Sequence, residues 1–253
     1  MIIPVLCYHN ISRPPYFGVR RRSLHTTPLN FYLQMKLIHM LGYKGLSISD
    51  AWDYITGKKF GKIVVLTFDD GYYDNFKNAL KILKKFNFTA TLFIVSDLIG
   101  SYNKWYYKEA NMIKKLMNED QIEIWLNSGM EIGSHTRTHP ILTELNEHQI
   151  KDEIFLSKEI LERKFKVKIR HFCYPYGKYN DLVVKYVKEA NYDSAWTLDR
   201  GRFRVGDDLY KAKRINIPKD ANILRFFLKV FTDYEDKRAI PKPIPNTSQN
   251  KSL

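Results

Sequence analysis

The sequence lacks a long hydrophobic segment and contains only two cysteines, Cys7 and Cys173. No apolar stretch approaches the length that spans a bilayer, so we expect no transmembrane helix. Two cysteines are too few for a disulfide framework, and we expect both to be reduced, with a single Cys7–Cys173 bridge as the alternative. The first residues also lack the basic region, apolar core and cleavage site of a secretory signal. We therefore expect a cytoplasmic protein, with an extracytoplasmic or membrane-peripheral role left open.

Sequence repeats and nucleic-acid-binding motifs are absent as well. The chain has 41 Lys+Arg against 27 Asp+Glu, a formal charge of +14, which predicts weak attraction to anionic surfaces. The lysines are scattered over predicted polar helix faces, and the basic run at 20–22 is short. We therefore predict no nucleic-acid partner.

The composition is that of one large globular domain. The chain has 253 residues, of which 44% are apolar and 14% aromatic, enough to bury a sizeable core. We predict one domain over residues 1–235. Residues 236–253, rich in proline, lysine and serine, are predicted to be a disordered tail.

Strand patterns alternate with helical patterns along the chain. The clearest buried strands are predicted at 2–8, 63–68, 89–95 and 169–174. About seven such β/α units predict an α/β fold, with a parallel sheet curled into a closed or distorted (β/α)-barrel. In such a barrel the chemistry lies at the carboxyl ends of the strands, where polar motifs occur here.

The strand at 63–68 ends in two adjacent carboxylates, Asp69 and Asp70, followed by Gly71. Side chains alternate along an extended segment, so the two carboxylates point in different directions and need different partners. One arrangement gives one carboxylate to a metal ion and leaves the other to accept a proton. Taken alone, the pair is more typical of an acidic turn.

Two histidines, His135 and His139, lie four residues apart downstream. If the backbone turned helically there, both imidazoles would face one ion, and Asp70 would supply a third ligand. Surface or capping histidines are the alternative. A set of two histidines and one aspartate leaves open coordination positions, which suits one Zn²⁺ and also permits Co²⁺, Ni²⁺ or Fe²⁺.

Three ordered motifs, at 67–71, 133–140 and 174–177, resemble those of the polysaccharide deacetylase family with the NodB homology domain, carbohydrate esterase family 4. The resemblance extends over residues 2–231. It implies a NodB-like distorted (β/α)-barrel and a metal-dependent hydrolase that removes N-acetyl groups from N-acetylglucosamine-type residues of a polysaccharide or glycan precursor.

The resemblance also assigns roles to individual residues. It implies that Asp69 is the general base and that the backbone N–H of Tyr176 is an oxyanion donor. The metal ligands that it implies are Asp70, His135 and His139. Tyr174 and Pro175, in the same motif as Tyr176, are the implied substrate-binding residues.

Two departures from the usual family pattern point to a subgroup. Many members carry an arginine that braces the base where this chain has Cys173, and they carry a C-terminal catalytic histidine where this chain has none. A circularly permuted subgroup acting on poly-N-acetylglucosamine places its acid histidine in an N-terminal Tyr-His motif. His9 matches that motif, so the resemblance implies that His9 is the general acid. Arg214 is our candidate for the bracing arginine, with Arg170 as the alternative.

The remaining predictions concern the substrate. Trp196, near the end of a late strand, is a candidate for the wall of an apolar acetyl pocket, with a core position as the alternative. A metal-dependent O-acetyl esterase and a non-catalytic carbohydrate-binding relative are the alternative functions. The intact Asp69 argues against the second, because an inactive scaffold has no need for a base beside the metal ligands.

Overall fold

The computed structural model describes residues 1–15, 22–106, 113–219 and 221–239. The strands are β1 (Ile2–Ile3), β2 (Val5–Tyr8), β3 (Asn10–Ile11), β4 (His25–Thr26), β5 (Lys44–Leu46), β6 (Ile63–Phe68), β7 (Thr91–Ile94), β8 (Glu131–Ser134), β9 (His171–Cys173), β10 (Ser194–Trp196), β11 (Phe203–Arg204) and β12 (Ile215–Asn216). The α-helices are α1 (Pro28–Met40), α2 (Trp52–Ile55), α3 (Leu80–Lys85), α4 (Glu119–Asn127), α5 (Glu147–Lys151), α6 (Ser157–Phe165), α7 (Asp181–Glu189), α8 (Ile223–Phe231) and α9 (Tyr234–Ala239). Single π-helical segments, Asn75–Ala79 and Asp152–Leu156, lead into α3 and α6.

Parallel strands form one curled central sheet. Seven of them follow the order β10-β9-β8-β7-β6-β2-β12, and β5 pairs with the first half of β6. The segment before β12 also reaches the far edge of the sheet, through a parallel bridge between Ala212 and Trp196. This segment therefore links β10 and β12, the two edge strands of the sheet. The prediction of a distorted (β/α)-barrel is confirmed.

The hydrophobic core occupies both faces of this sheet. All residues of β2 and β6 are buried, as is typical of parallel strands covered on both sides. A large cluster fills the space between the sheet and the outer helices, with Leu66 and Phe68 among its members. A smaller cluster, which includes Val65, Cys173 and Trp196, fills the inside of the barrel. Side-chain alternation along β6 therefore directs Val65 inward and Leu66 outward.

Local signals explain where the helices begin. The side chain of Thr27 accepts a hydrogen bond from the backbone N–H of Asn30 at the start of α1, with Pro28 as its first residue. Asn118 and Asn146 form capping boxes at the starts of α4 and α5. These caps fix the outer helices, and so the strands between them, in place.

The tail boundary predicted at residue 236 falls inside α9 and is wrong. Asp236 accepts hydrogen bonds from the backbone N–H and from Nη2 of Arg202, at 2.8 and 2.7 Å. This long-range contact holds α9 on the domain, and a local composition pattern could not reveal it. The rest of the predicted tail, residues 240–253, lies outside the described residues, as do residues 16–21 with part of the basic run.

Among the described helices, none combines the length and hydrophobicity needed to cross a bilayer.

Candidate active site

Polar residues from several strand ends meet in one small pocket of about 70 Å³. The residues that line it are His9, Leu24, Asp69, Asp70, Tyr106, His135, His139, Tyr176 and Leu198. Six of these were predicted from the sequence. Leu24, Tyr106 and Leu198 were not, because they belong to no recognisable motif and reach the pocket only through the fold.

Asp70, His135 and His139 form a compact buried cluster. Nε2 of His135 and Nε2 of His139 each lie 3.3 Å from Oδ1 of Asp70. Burial by itself raises the pKa of Asp70, but the hydrogen bonds to the two histidines outweigh burial and hold its pKa well below the usual range. The three side chains therefore present one oxygen and two nitrogens that converge on a single point.

The hydrogen bonding of His135 is that of a metal-binding histidine. Nδ1 of His135 lies 2.8 Å from the carbonyl oxygen of Cys173, which can only accept, so Nδ1 carries the hydrogen. In a neutral imidazole, Nε2 of His135 then carries a lone pair that faces the Asp70 carboxylate. A proton or a metal ion between these two atoms would remove the repulsion. Burial lowers the pKa of His135, but the hydrogen bond to Asp70 and the charge of Asp69 act against burial and the pKa is raised, whereas burial lowers the pKa of His139. The donor atoms of the cluster, one carboxylate oxygen and two imidazole nitrogens, suit a divalent metal ion.

The two histidines are brought together by a turn, not by the helical segment that their spacing suggested. No helix follows β8 directly, and Thr136 and His139 both have left-handed backbone conformations, with φ of 66° and 67°. Oγ1 of Thr136 accepts a hydrogen bond from the backbone N–H of His139 at 3.0 Å. The helical expectation is wrong because a left-handed turn returns the chain within four residues.

The carboxylate of Glu153 stabilises this turn. The sequence pattern did not indicate a role for Glu153. Its Oε2 accepts hydrogen bonds from the backbone N–H groups of Arg137 and Thr138 at 2.8 and 3.0 Å. Its Oε1 accepts one from Oγ1 of Thr138 at 2.6 Å. One carboxylate therefore satisfies the backbone between the two histidines, which a loop without regular structure leaves unpaired.

Asp69 is held by Arg214 in a buried bidentate ion pair. Nη1 and Nη2 of Arg214 donate to Oδ1 and Oδ2 of Asp69 at 2.7 and 2.8 Å. Burial raises the pKa of Asp69, but the charge and hydrogen bonds of Arg214 outweigh it and lower the pKa to about 2. Arg170, the alternative candidate, pairs with Asp193 at 2.6 Å instead. Geometry therefore distinguishes the two arginines.

Both cysteines are free and buried beside Asp69. Sγ of Cys7 and Sγ of Cys173 lie 3.4 and 3.6 Å from Oδ2 of Asp69. Burial raises the pKa of both thiols, so they remain neutral donors to the carboxylate. Nη2 of Arg214 lies 3.0 Å from Sγ of Cys173. The small thiol at position 173 therefore leaves room for a guanidinium that arrives from another strand.

His9 lies on the side of Asp69 that faces the pocket. Its Nε2 is 3.9 Å from Oδ2 of Asp69, and its Nδ1 is 4.0 Å from Sγ of Cys7. The side chain is about nine-tenths buried, with 10% of its surface exposed. An imidazole at the pocket wall, close to a carboxylate, is placed to exchange a proton with a bound molecule.

Tyr176 lines the pocket from a turn that packs tightly against Leu198. Its φ is 58°, and its ring lies 4.7 Å from that of His139. A Cβ atom at the next residue, Gly177, would lie 2.7 Å from Cβ of Leu198. Glycine is therefore required there, and the close approach fixes Tyr176 against the loop after β10.

Backbone strain is concentrated in this site. Seven described residues other than glycine have a positive φ, and four of them are Asp70, Thr136, His139 and Tyr176. Such conformations cost about 1–3 kcal/mol each and persist only where the surroundings impose them. The strain is therefore a sign that the fold holds the pocket residues in set positions.

Three predicted substrate-binding residues lie away from the pocket wall. Trp196 is fully buried inside the barrel, where its Nε1 donates to Oγ of Ser194 at 2.9 Å. Tyr174 is buried and donates its hydroxyl to the carbonyl of Tyr210 at 2.9 Å. Pro175 is buried as well. Trp196 occupies the core position that the sequence analysis gave as its alternative, because strand alternation directs its side chain into the barrel. Leu198, two residues later, lines the pocket instead.

Fold and pocket together are those of a barrel hydrolase with its polar cluster at the carboxyl ends of parallel strands. A family model described as polysaccharide deacetylase matches residues 56–195. A Bacillus subtilis protein named as a polysaccharide deacetylase, YxkH, is 30% identical over 217 residues, which cover 85% of this chain and 71% of that protein. The chain belongs to the polysaccharide deacetylase family.

Two further relatives agree with this assignment. The poly-β-1,6-N-acetyl-D-glucosamine N-deacetylase of Staphylococcus epidermidis is 26% identical over 209 residues, which cover 79% of this chain and 70% of that protein. The crystal structure of a Bacillus cereus polysaccharide deacetylase superposes with a TM-score of 0.77 at 28% identity, covering 91% of this chain and 69% of that one. Sequence and fold therefore point to the same family.

Proposed function

We propose that this protein is a divalent-metal-dependent N-deacetylase, acting on N-acetylglucosamine-type residues of a polysaccharide or glycan precursor. The observation that carries the proposal is the convergence of Asp70, His135 and His139 beside a second, braced carboxylate, Asp69. Family membership supports it, and so does the S. epidermidis relative, which is named for N-deacetylation of an amino-sugar polymer.

The metal ligands in this proposal are Asp70, His135 and His139. Zinc is the expected ion, with cobalt, nickel and iron as alternatives. A divalent cation there would polarise the acetamide carbonyl and acidify a water molecule. Nδ1–H of His135, donated to the Cys173 carbonyl, leaves Nε2 of that imidazole as the nitrogen that would bind the ion.

Asp69 acts as the general base. Its two oxygens are oriented by Arg214, so the carboxylate cannot rotate away from the pocket. With a pKa of about 2, Asp69 stays ionised above pH ~4, which is the form that can accept a proton, but it is a weak base and would need a water molecule acidified by the metal ion.

His9 acts as the general acid, and Tyr176 contributes its backbone N–H to the developing oxyanion. An amine is a poor leaving group unless it is protonated as the C–N bond breaks. His9 is the histidine of the pocket wall that lies beside Asp69 rather than Asp70, so it is the one left to deliver that proton. This role is supported by the position of Tyr176 in the pocket lining, within a turn where its φ is 58°.

The test is acetate release from matched substrates. Oligomers of β-1,6- and β-1,4-linked N-acetylglucosamine and peptidoglycan fragments are incubated with metal-stripped protein and with protein reloaded with zinc, cobalt or nickel. We expect release only from the reloaded protein, with N-acetylated sugars as substrates. Release only from O-acetylated sugars would replace the proposal with the esterase alternative, and no release from any substrate with any metal would overturn it.

A further inference from the structure

A groove leads away from the active-site pocket along one side of the barrel. Leu198 lines both that pocket and a neighbouring cavity of about 400 Å³. Arg200 lines this cavity and a further one of about 590 Å³. Because each cavity shares a lining residue with the next, the three lie side by side on the same face of the barrel. We call the two outer cavities the basic groove.

The lining of the outermost cavity is strongly cationic. It contains five basic side chains, among them Arg200, Arg204 and Lys213, against two carboxylates, Asp233 and Asp236. Both carboxylates are already engaged. Asp236 pairs with Arg202 at 2.7 Å and with Arg204 at 3.3 Å, and Asp233 pairs with Lys237 at 2.9 Å. Positive charge therefore remains after the ion pairs are formed.

The cavity next to the pocket has the same character. Arg200, Lys229 and Arg238 line it, and the carboxylate among its described lining residues is Glu235, which is buried and paired with Lys229. No described carboxylate forms an ion pair with Arg200 or with Lys213. Since like charges in one groove repel, such an arrangement favours an anionic occupant.

The start of the groove is fixed relative to Asp69. Nε of Arg214, the arginine that holds Asp69, donates to the carbonyl of Thr197 at 2.8 Å. The backbone N–H of Arg214 donates to the carbonyl of Asp199 at 3.2 Å. The segment that carries Leu198 and Arg200 is thereby tied to the base, so a ligand in the groove and an acetamide in the pocket are held at a set separation.

We propose that the basic groove binds anionic groups carried by the same glycan whose acetamide enters the pocket. This inference rests on the proposed function, and it narrows the substrate to an amino-sugar polymer that bears carboxylate or phosphodiester groups. Arginine side chains match both anions with paired hydrogen bonds. A neutral amino-sugar polymer would leave these cations without partners.

The test compares three soluble glycans of equal length: a neutral N-acetylglucosamine oligomer, one with a carboxylate on alternate sugars, and one with phosphodiester substituents. Wild-type protein is expected to deacetylate at least one anionic glycan with a kcat/KM about ten-fold above the neutral one, the gain of one charge-assisted hydrogen bond pair. Which anionic glycan is preferred identifies the source of the charge. Raising the salt concentration is expected to reduce that preference and leave the neutral rate unchanged.

Arg200→Glu is expected to lower kcat/KM for the preferred anionic glycan at least ten-fold and to leave the neutral oligomer within two-fold. Lys84→Glu, which makes the same charge change at an exposed position of α3 away from the groove, is the matched control and should alter neither. Arg200→Glu/Lys213→Glu should enlarge the effect.

The outcomes separate the two proposals. Deacetylation of the neutral oligomer with no preference for either anionic glycan, or equal effects of Arg200→Glu on all three, would overturn the groove proposal and leave the proposed function intact. If Arg200→Glu abolished binding to anionic lipid vesicles without changing the substrate preference, the groove would be a membrane-binding surface and the glycan proposal would be wrong. No release from any glycan would overturn the proposed function itself.

Discussion

Arg214 and Asp69 form a two-pronged ion pair at the centre of the barrel mouth, with N–O distances of 2.7 and 2.8 Å and both side chains almost fully buried. The pair joins the residue directly before β12 to the residue directly after β6. Nη1 of Arg214 also donates to Oγ1 of Thr67 at 3.0 Å, so the guanidinium is anchored on several sides. One side chain thus orients the proposed base and links it to the segment before β12.

Arg214→Met is expected to destabilise the protein by about 3–5 kcal/mol, because it leaves the Asp69 carboxylate buried without compensation. Asp69→Asn should destabilise it similarly by leaving Arg214 unpaired, as well as abolishing turnover. The double variant should lose less than the sum of the two, which urea unfolding of all four proteins measures. Arg163→Met, at an exposed helix pair with Glu159, is the control and should cost less than about 1 kcal/mol. Additive losses would show that the pair is not coupled.

His135→Ala and Asp70→Asn should each lose most of the bound divalent metal, since each removes one donor of a three-residue set. Metal content after dialysis is the measurement. His148→Ala is the matched control, because His148 has 85% of its side chain exposed and lies outside the cluster. Full stoichiometry in both cluster variants would show that the ion binds elsewhere.

Glu153→Gln is expected to weaken metal binding about 10–100-fold while the ligands themselves are unchanged. An amide offers one acceptor oxygen where the carboxylate accepts three hydrogen bonds from the turn between the histidines. Competition with a chelator measures the affinity, and Glu159→Gln, on the exposed face of α6, is the control. An unchanged affinity would mean that the turn holds its shape without Glu153.

His9→Ala should lower kcat about 10²–10⁴-fold with the metal content intact, the usual contribution of a general acid. His39→Ala, an exposed histidine on α1, serves as the control. Near-normal turnover would remove His9 from the mechanism, and loss of metal would make it a ligand.

Substitution of Leu198 is expected to affect substrate binding, and substitution of Trp196 is expected to affect stability. Leu198→Ala is expected to raise KM with little change in unfolding free energy, because Leu198 is half-buried at the pocket wall. Trp196→Ala is expected to cost about 3–5 kcal/mol, since it empties a fully buried position inside the barrel. A selective KM effect from Trp196→Phe in a stable protein would restore the original acetyl-pocket assignment.

The chemistry at the strand ends could be anticipated from the chain alone. Buried runs such as 63–68 identify strands by their composition, and a parallel barrel brings the carboxyl ends of its strands together whatever the details. The positions of His9, Asp69, Asp70, His135 and Tyr176 around one pocket follow from that geometry. These are local signals combined with one general rule of architecture.

Only the tertiary structure decided which arginine holds Asp69, what supports the histidine turn and which residues form the pocket wall. Arg214 is 145 residues from Asp69 and Glu153 is 16 from Arg137, and no sequence pattern records either contact. The inward direction of Trp196 and the pocket position of Leu198 depend on strand register, where a shift of one residue exchanges the two faces. Long-range contacts are set by how the sheet curls and closes, and that is a property of the whole chain packed together.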